Sequence, residues 1–156
     1  MTNSYIALDL ETTGLEARLD KITEIAALRV EDGRVEERFV TLVNPGRQLG
    51  ERITALTGIT DDMVKDAPVI EDTIGDVVRF CGNLPLLGHN ILFDYAFLKR
   101  AAVNSGLDFE REGIDTLGIC RLFMPEDVKR NLTCACSFMR FLSLRPTGAG
   151  GCGGGS

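Results

Sequence analysis

The stretch IALDLETTGL, residues 6–15, decides the fold, because it places two acids one residue apart in a run that otherwise favours a buried strand. Alternate side chains of a strand share one face, so Asp9 and Glu11 point one way and the apolar residues between them point the other. The sequence TTG then ends the strand, predicted over residues 5–10. We therefore expect both carboxylates near its carboxyl end, where open α/β sheets place their ligands.

Two explanations fit this acid pair on spacing alone. The pair is the solvated side of an edge strand, as most acid pairs in strands are, or a divalent cation held between the carboxylates relieves their repulsion. A third acid, Asp94 in GHNILFDYAFLK (residues 88–99), favours the cation. Alone, Asp94 would be an ordinary acid at a helix start, stabilised by the helix dipole. The short strand before it, however, delivers it to the same sheet edge, so we expect three acids to converge.

The remaining sequence predicts an α/β sandwich with a mixed sheet, because three antiparallel strands are followed by alternating helices and strands. The second and third strands are joined by a turn at Asp32-Gly33, and the third runs from about Val35 to Val43. Helices are predicted at about 60–66, 68–81, 92–104, 116–123 and 131–141, with Pro68 in the first turn of the second of these and short strands in LPLLGHN and GIDT.

Composition bounds the class of protein. The 156 residues suit one domain, and no apolar run approaches the ~20 residues that span a bilayer, so we expect a cytoplasmic protein without a membrane partner. Five scattered cysteines with no CxxC pair favour reduced thiols over a disulfide framework. The net charge of −6 argues against a simple nucleic-acid binder, but carboxylates that bridge to phosphate through divalent cations can still hold a polyanion.

Three motifs resemble those of the DEDD exonuclease superfamily, in particular the proofreading epsilon subunit of bacterial DNA polymerase III and its relatives. ALDLETTGL (residues 7–15) is similar to the first motif, ALTGITDDMVKDAP (55–68) to the intervening segment, and GHNILFDYAFL (88–98) to the second motif. IDTL (114–117) and NLT (131–133) follow in the expected order. The resemblance covers residues 4–144.

The resemblance implies a ribonuclease-H-like sandwich in which Asp9, Glu11 and Asp94 are catalytic and hold two Mg²⁺ or Mn²⁺ ions. In two-metal hydrolysis one ion generates a hydroxide nucleophile and both stabilise charge in the transition state. The implied activity is 3′–5′ exonuclease action, releasing nucleoside monophosphates from the single-stranded 3′ end of DNA. RNA in place of DNA, and a DNA polymerase subunit as partner, stay open.

The same resemblance implies which residues contact the substrate. The backbone of Thr12, Thr13 and Gly14 would approach the 3′ end, and Leu56 and Phe97 would pack around the terminal bases. Packing of that kind accepts every base, because every base has a stackable face. Ordinary core packing is the alternative for Leu56 and Phe97.

The chain departs from the family at its third motif, a histidine followed five residues later by Asp, which are the general base and the remaining metal ligand. Its only histidine, His89, lies in the second motif, where the resemblance suggests a structural role. We therefore predict an exonuclease domain over residues 1–144 without its last helix, and a flexible glycine-rich tail over 145–156. A shifted reading frame, an appended linker and a natural short form would each explain this end.

Three functions follow. The first is the metal-dependent exonuclease, impaired by the absent third motif. The second is a catalytically inactive module of the same fold that binds nucleic acid or a polymerase. The third, a purely structural acidic domain, would require the three acids to be unrelated surface charges.

Overall fold

The computed structural model describes residues 3–131 and 133–134. In that range ten elements follow one another along the chain: β1 (Ser4–Thr12), β2 (Ile22–Glu31), β3 (Arg34–Leu42), α1 (Glu51–Thr57), α2 (Asp61–Val64), α3 (Ile70–Cys81), β4 (Leu86–Gly88), α4 (Ile91–Asn104), β5 (Gly113–Asp115) and α5 (Thr116–Phe123).

The strands form one mixed sheet in the order β3-β2-β1-β4-β5. β1, β2 and β3 are antiparallel neighbours, whereas β4 pairs in parallel with both β1 and β5. The predicted α/β class with a mixed sheet is confirmed. The hairpin between β2 and β3 turns at Asp32 and Gly33, whose positive φ angles of 48° and 79° suit a tight turn.

β1 alternates as its sequence predicts. Ile6, Leu8 and Leu10 are buried, while Asp9 is exposed and Glu11 half-buried. The buried face belongs to the main apolar cluster, which also contains side chains of α3 and α4. These two helices therefore pack on the face of β1 opposite to that of its acids.

The prediction for α3 was correct at its end, Cys81, but placed Pro68 in the first turn, whereas the helix begins at Ile70. The start of α4 was predicted within one residue. No helix was predicted before residue 60, where the sequence favoured a loop, but α1 occupies Glu51–Thr57. This helix has seven residues, no side-chain cap at its N-terminus and no buried side chain. It therefore lacks both the capping signal and the apolar period by which a sequence reveals a helix.

The C-terminal predictions fall largely outside the described residues. The absent last helix, the tail over 145–156 and most of the helix over 131–141 cannot be compared with the structure. Thr133 and Cys134 are helical, and the backbone N–H of Cys134 donates to Asn131 Oδ1 at 2.8 Å, as at a capped helix start. Among the helices of residues 3–131, none is long and apolar enough to cross a membrane.

Candidate active site

Asp94 is held against β1 between the two acids of that strand. β4 pairs with β1 only through Leu86 and Leu87 and ends at Gly88. The backbone N–H of Leu10 donates to Asp94 Oδ1 at 2.9 Å, where a longer β4 would have offered a carbonyl. The Asp94 carboxylate thus continues the ladder of β1, and it lies beside the backbone that links Asp9 to Glu11.

The turn from β4 into α4 delivers Asp94 to this place. A side chain at Gly88 would lie 3.0 Å from the Leu8 carbonyl oxygen and 2.7 Å from Ile91 Cδ1, so only glycine allows this close approach. Asn90 then adopts a left-handed conformation with φ 64°, which asparagine tolerates well. Its backbone N–H donates to Asp115 Oδ1 at 2.7 Å, which fixes the turn to the end of β5.

The pKa values show that the carboxylates act on one another. Burial raises the pKa of Asp94 to about 7, and the charges of Asp9 and Glu11 add to the rise, whereas the Leu10 N–H opposes it. Loss of hydration also raises the pKa of Asp9, although that residue is exposed overall. Desolvation first, and then the charges of Asp9 and Glu24, raise the pKa of Glu11. The carboxylates of Asp9, Glu11, Glu24 and Asp94 therefore concentrate negative charge at this end of the sheet.

Glu24 is a fourth acid at this site that the sequence reasoning missed. It lies directly across from Glu11 in the antiparallel pair of β1 and β2 and shares its face. The sequence contains a signal, since TEIAA places Glu24 on the alternate face of a predicted strand. Only the register of the hairpin, however, shows that it is the partner of Glu11.

The donor set fits a hard divalent cation, because carboxylate oxygens are the ligands that Mg²⁺ and Mn²⁺ prefer. Within residues 3–131 and 133–134, no three His, Cys, Asp or Glu side chains already surround one point as a complete cation cage. Asp9 and Glu11 end in rotatable side chains on one face, and Asp94 has one carboxylate oxygen bound to Leu10. Convergence on an ion would therefore require the carboxylates to rearrange from the positions that they have here.

The predicted substrate loop, Thr12, Thr13 and Gly14, is tightly bonded. Thr12 Oγ1 donates to the Gly14 carbonyl at 2.6 Å, and Thr13 Oγ1 accepts from the Lys21 N–H at 2.9 Å. A Cβ on Gly14 would lie 2.4 Å from an oxygen of the Asp20 carboxylate, so any side chain here would have to displace that carboxylate. The loop is thus a closed, ordered segment directly after Glu11.

The two predicted base-packing residues differ in their surroundings. Phe97 is only 4% exposed, belongs to the main cluster and lies 5.0 Å from Phe93 between ring centroids. Leu56, on α1, is 79% exposed. Core packing therefore describes Phe97, whereas it is excluded for Leu56, and no contact in the described structure groups Leu56 with the three acids.

The ring nitrogens of His89 are both engaged. Nε2 lies 2.6 Å from the Arg130 carbonyl oxygen, and Nδ1 lies 3.0 Å from Thr116 Oγ1. A carbonyl can only accept, so Nε2 carries the proton of that bond. His89 thus ties β4 to the chain near residue 130 rather than facing the acids.

Comparison with known proteins agrees with this architecture. The profile of the RNase T exonuclease family matches residues 6–141. The chain belongs to this exonuclease family. The resemblance to proofreading exonucleases is confirmed. In the relatives given below, the matching region is one part of a PolC-type DNA polymerase III chain.

PolC-type DNA polymerase III of Bacillus subtilis (strain 168) is 40% identical over 136 residues, which cover 85% of this chain and 9% of that protein. The PolC-type polymerase of Oceanobacillus iheyensis is 36% identical over 140 residues, covering 88% of this chain and 10% of that protein. The chain thus spans about a tenth of the length of these relatives.

Two solved exonucleases share the fold. Exonuclease X, solved in complex with 5′ overhanging duplex DNA, has a TM-score of 0.68 and 28% identity, covering 94% of this chain and 78% of that one. Exonuclease I, in a structure that addresses processivity, has a TM-score of 0.72, covering 86% of this chain and 35% of that one. At 18% identity, exonuclease I supports the fold alone.

Proposed function

We propose that this member of the exonuclease family removes nucleoside monophosphates from the 3′ end of DNA with the help of divalent cations. The observation that carries the proposal is the position of Asp94, whose buried carboxylate meets β1 between Asp9 and Glu11. The negative charges of these carboxylates repel one another, and a divalent cation bound between them would relieve that repulsion.

The carboxylates of Asp9, Glu11 and Asp94 would hold the ions, Mg²⁺ or Mn²⁺. Bound there, such ions supply a hydroxide nucleophile at neutral pH and stabilise charge on the phosphoryl group. The chain's own contribution is to orient the carboxylates and to place the backbone of the Thr12–Gly14 loop next to the 3′ end. The exposed side chain of Leu56 would pack against a terminal base, as in the resemblance described above.

DNA is the proposed substrate because the relatives are DNA polymerases and exonuclease X was solved with DNA. A polymerase is the proposed partner, since the matching region is part of a polymerase chain in those relatives. For a protein that acts on DNA with a bacterial polymerase, we propose the cytoplasm as the location.

An inactive binding module of the same fold is the second candidate. It is favoured by one observation, the engagement of both ring nitrogens of His89, the only histidine of the sequence. A general base must lie within hydrogen-bond reach of the water that it activates, directly or through one other water. Both ring nitrogens of His89 are already engaged, so activity would depend on hydroxide generated at the ions, at a rate about 10²- to 10⁴-fold below that of a relative with a base.

Shortening of a 5′-labelled single-stranded DNA tests the proposal. The chain is expected to produce a ladder in Mg²⁺ or Mn²⁺ that a chelator, Asp9→Ala and Asp94→Asn each abolish. Glu36→Ala is the matched control, because this exposed acid lies on β3 near the hairpin, at the opposite end of the sheet from Glu11. DNA that is bound but never shortened would support the binding module instead, and a ladder on RNA alone would change the substrate.

A further inference from the structure

A cleft of about 110 Å³ opens beside α4, away from the three acids along the helix. Its walls come from the loop after β1, the first turn of α3 and the second half of α4. Three of the lining side chains are cationic and exposed: Arg18, Lys21 and Arg100.

These three cations form no ion pair within the described part of the chain, although several others do. Lys65, Arg79 and Lys99 pair with nearby acids. The chain has a net charge of −6, and three of its cations that form no ion pair among the described residues line this one cleft. Asn104 and Ser105 add neutral polar groups to the same wall.

Two acids, Asp20 and Glu71, also line the cleft, so its three cations exceed its acids by one charge. Asp20 accepts from the Glu16 N–H at 2.9 Å and from Thr13 Oγ1 at 3.3 Å, which holds its carboxylate against its own loop. Glu71 lies in the first turn of α3. The cleft therefore retains a positive excess toward a ligand.

The cleft is connected to the candidate active site on both of its walls. The backbone N–H of Lys21 donates to Thr13 Oγ1, two residues after Glu11. On the other wall, Phe97 follows Asp94 by one helical turn, and Arg100 lies about 9 Å further along the axis than Asp94. The cleft thus shares the loop after Glu11 and the helix of Asp94 with the candidate active site.

We propose that this cleft binds a backbone phosphate of the nucleic-acid strand, upstream of the nucleotide at the three acids. Guanidinium groups bind phosphate oxygens bidentately, and phosphate contacts fix the position of a strand without reading its sequence. The inference rests on the proposed function, because it assumes that the 3′ end lies at the acids. It gives an acidic protein a local means of holding a polyanion.

The test is binding of 5′-fluorescein-labelled dT10 to the full chain in Ca²⁺, measured by anisotropy with cleavage checked on a gel. Arg18→Gln/Arg100→Gln is expected to weaken binding about tenfold at low salt. It should also reduce the slope of log affinity against log salt by about 0.7 for each lost phosphate contact. Binding of thymidine 5′-monophosphate, which reaches only the acids, should not change.

The control is Arg34→Gln/Arg38→Gln, which removes the same charge from exposed positions on β3. Circular dichroism melts check that both variants fold. Equal dT10 affinity and salt slope for the two variants would overturn the cleft assignment while leaving the exonuclease proposal intact. A chain that neither binds dT10 nor shortens DNA would overturn both.

Discussion

The Asp94 carboxylate accepts a hydrogen bond from the backbone N–H of Leu10 at 2.9 Å, and Leu10 lies between Asp9 and Glu11 on β1. One hydrogen bond thereby continues the sheet and places the Asp94 carboxylate beside the backbone that links Asp9 to Glu11. The folded chain retains a buried acid whose pKa is about 7, a state that costs stability whenever the acid is ionised without a cation.

Asp94→Asn should therefore stabilise the metal-free protein at pH 8 while abolishing cleavage. The amide keeps an oxygen for the Leu10 N–H but removes the charge. The rise in pKa from 3.8 to about 7 corresponds to at most about 4 kcal/mol. A net gain of about 2 kcal/mol is expected, because the new NH₂ group is itself buried. Urea denaturation in EDTA measures the gain.

Asp115→Asn is the control for that experiment, since Asp115 accepts two backbone N–H groups with one oxygen, which the amide also retains. It should not stabilise the protein. A variant at Asp94 that is less stable than the unmodified chain at pH 8 would contradict the repulsion argument.

The pH dependence of stability follows from the same group. The pKa of Asp94 in the folded state lies above its unfolded value, so the folded state keeps a proton that the unfolded state releases. The free energy of unfolding should therefore fall as pH rises from about 4 to about 7, by up to about 1.4 kcal/mol per pH unit, and level off above that range. Denaturant titrations across this range, without metal, measure it.

The contribution of Asp94 is the difference between the unmodified chain and Asp94→Asn. The variant should show a flatter dependence, and Mg²⁺ should flatten that of the unmodified chain by favouring the ionised carboxylate. Identical pH dependences for the two proteins would exclude Asp94 as the titrating group.

Gly14→Ala should disrupt the loop after β1, because the new methyl would lie 2.4 Å from the Asp20 carboxylate. The loop must open to accommodate it, and we expect a loss of about 1–3 kcal/mol in stability together with most of the cleavage activity. Gly75→Ala in α3 is the control, since its methyl would meet only an Arg79 side-chain atom at 3.6 Å and alanine favours a helix. Equal activity of the two variants would show that the loop does not position the substrate.

Glu24→Gln should lower the pKa of Glu11, because the Glu24 charge is one of the causes that raise it. The acidic limb of the pH–rate profile in Mg²⁺ is expected to move to lower pH, while the rate at pH 8 changes little. Glu31→Gln, at the other end of β2, is the matched control. If the pH–rate profile moves equally in both variants, the shift comes from the change in net charge rather than from the pairing of Glu24 with Glu11.

The sequence predicted those features that depend on local period and spacing. The alternation of β1 placed Asp9 and Glu11 on one face, and the apolar period of α3 defined its end at Cys81. The sequence did not predict features that depend on which residues of neighbouring strands pair. The bond between Asp94 and Leu10 exists because β4 stops before Leu10, and the Glu24–Glu11 pair depends on hairpin register. α1 has neither a cap nor a buried side chain, so nothing local marked it.

Titration of Mn²⁺ into the metal-free chain, followed by electron paramagnetic resonance of the free ion, tests most directly whether the three acids form a cation site. The account predicts saturable binding at pH 8 that Asp9→Ala and Asp94→Asn each weaken at least tenfold and that Glu36→Ala leaves unchanged. Binding unaffected by the loss of Asp94, or no binding by a folded chain, would contradict it.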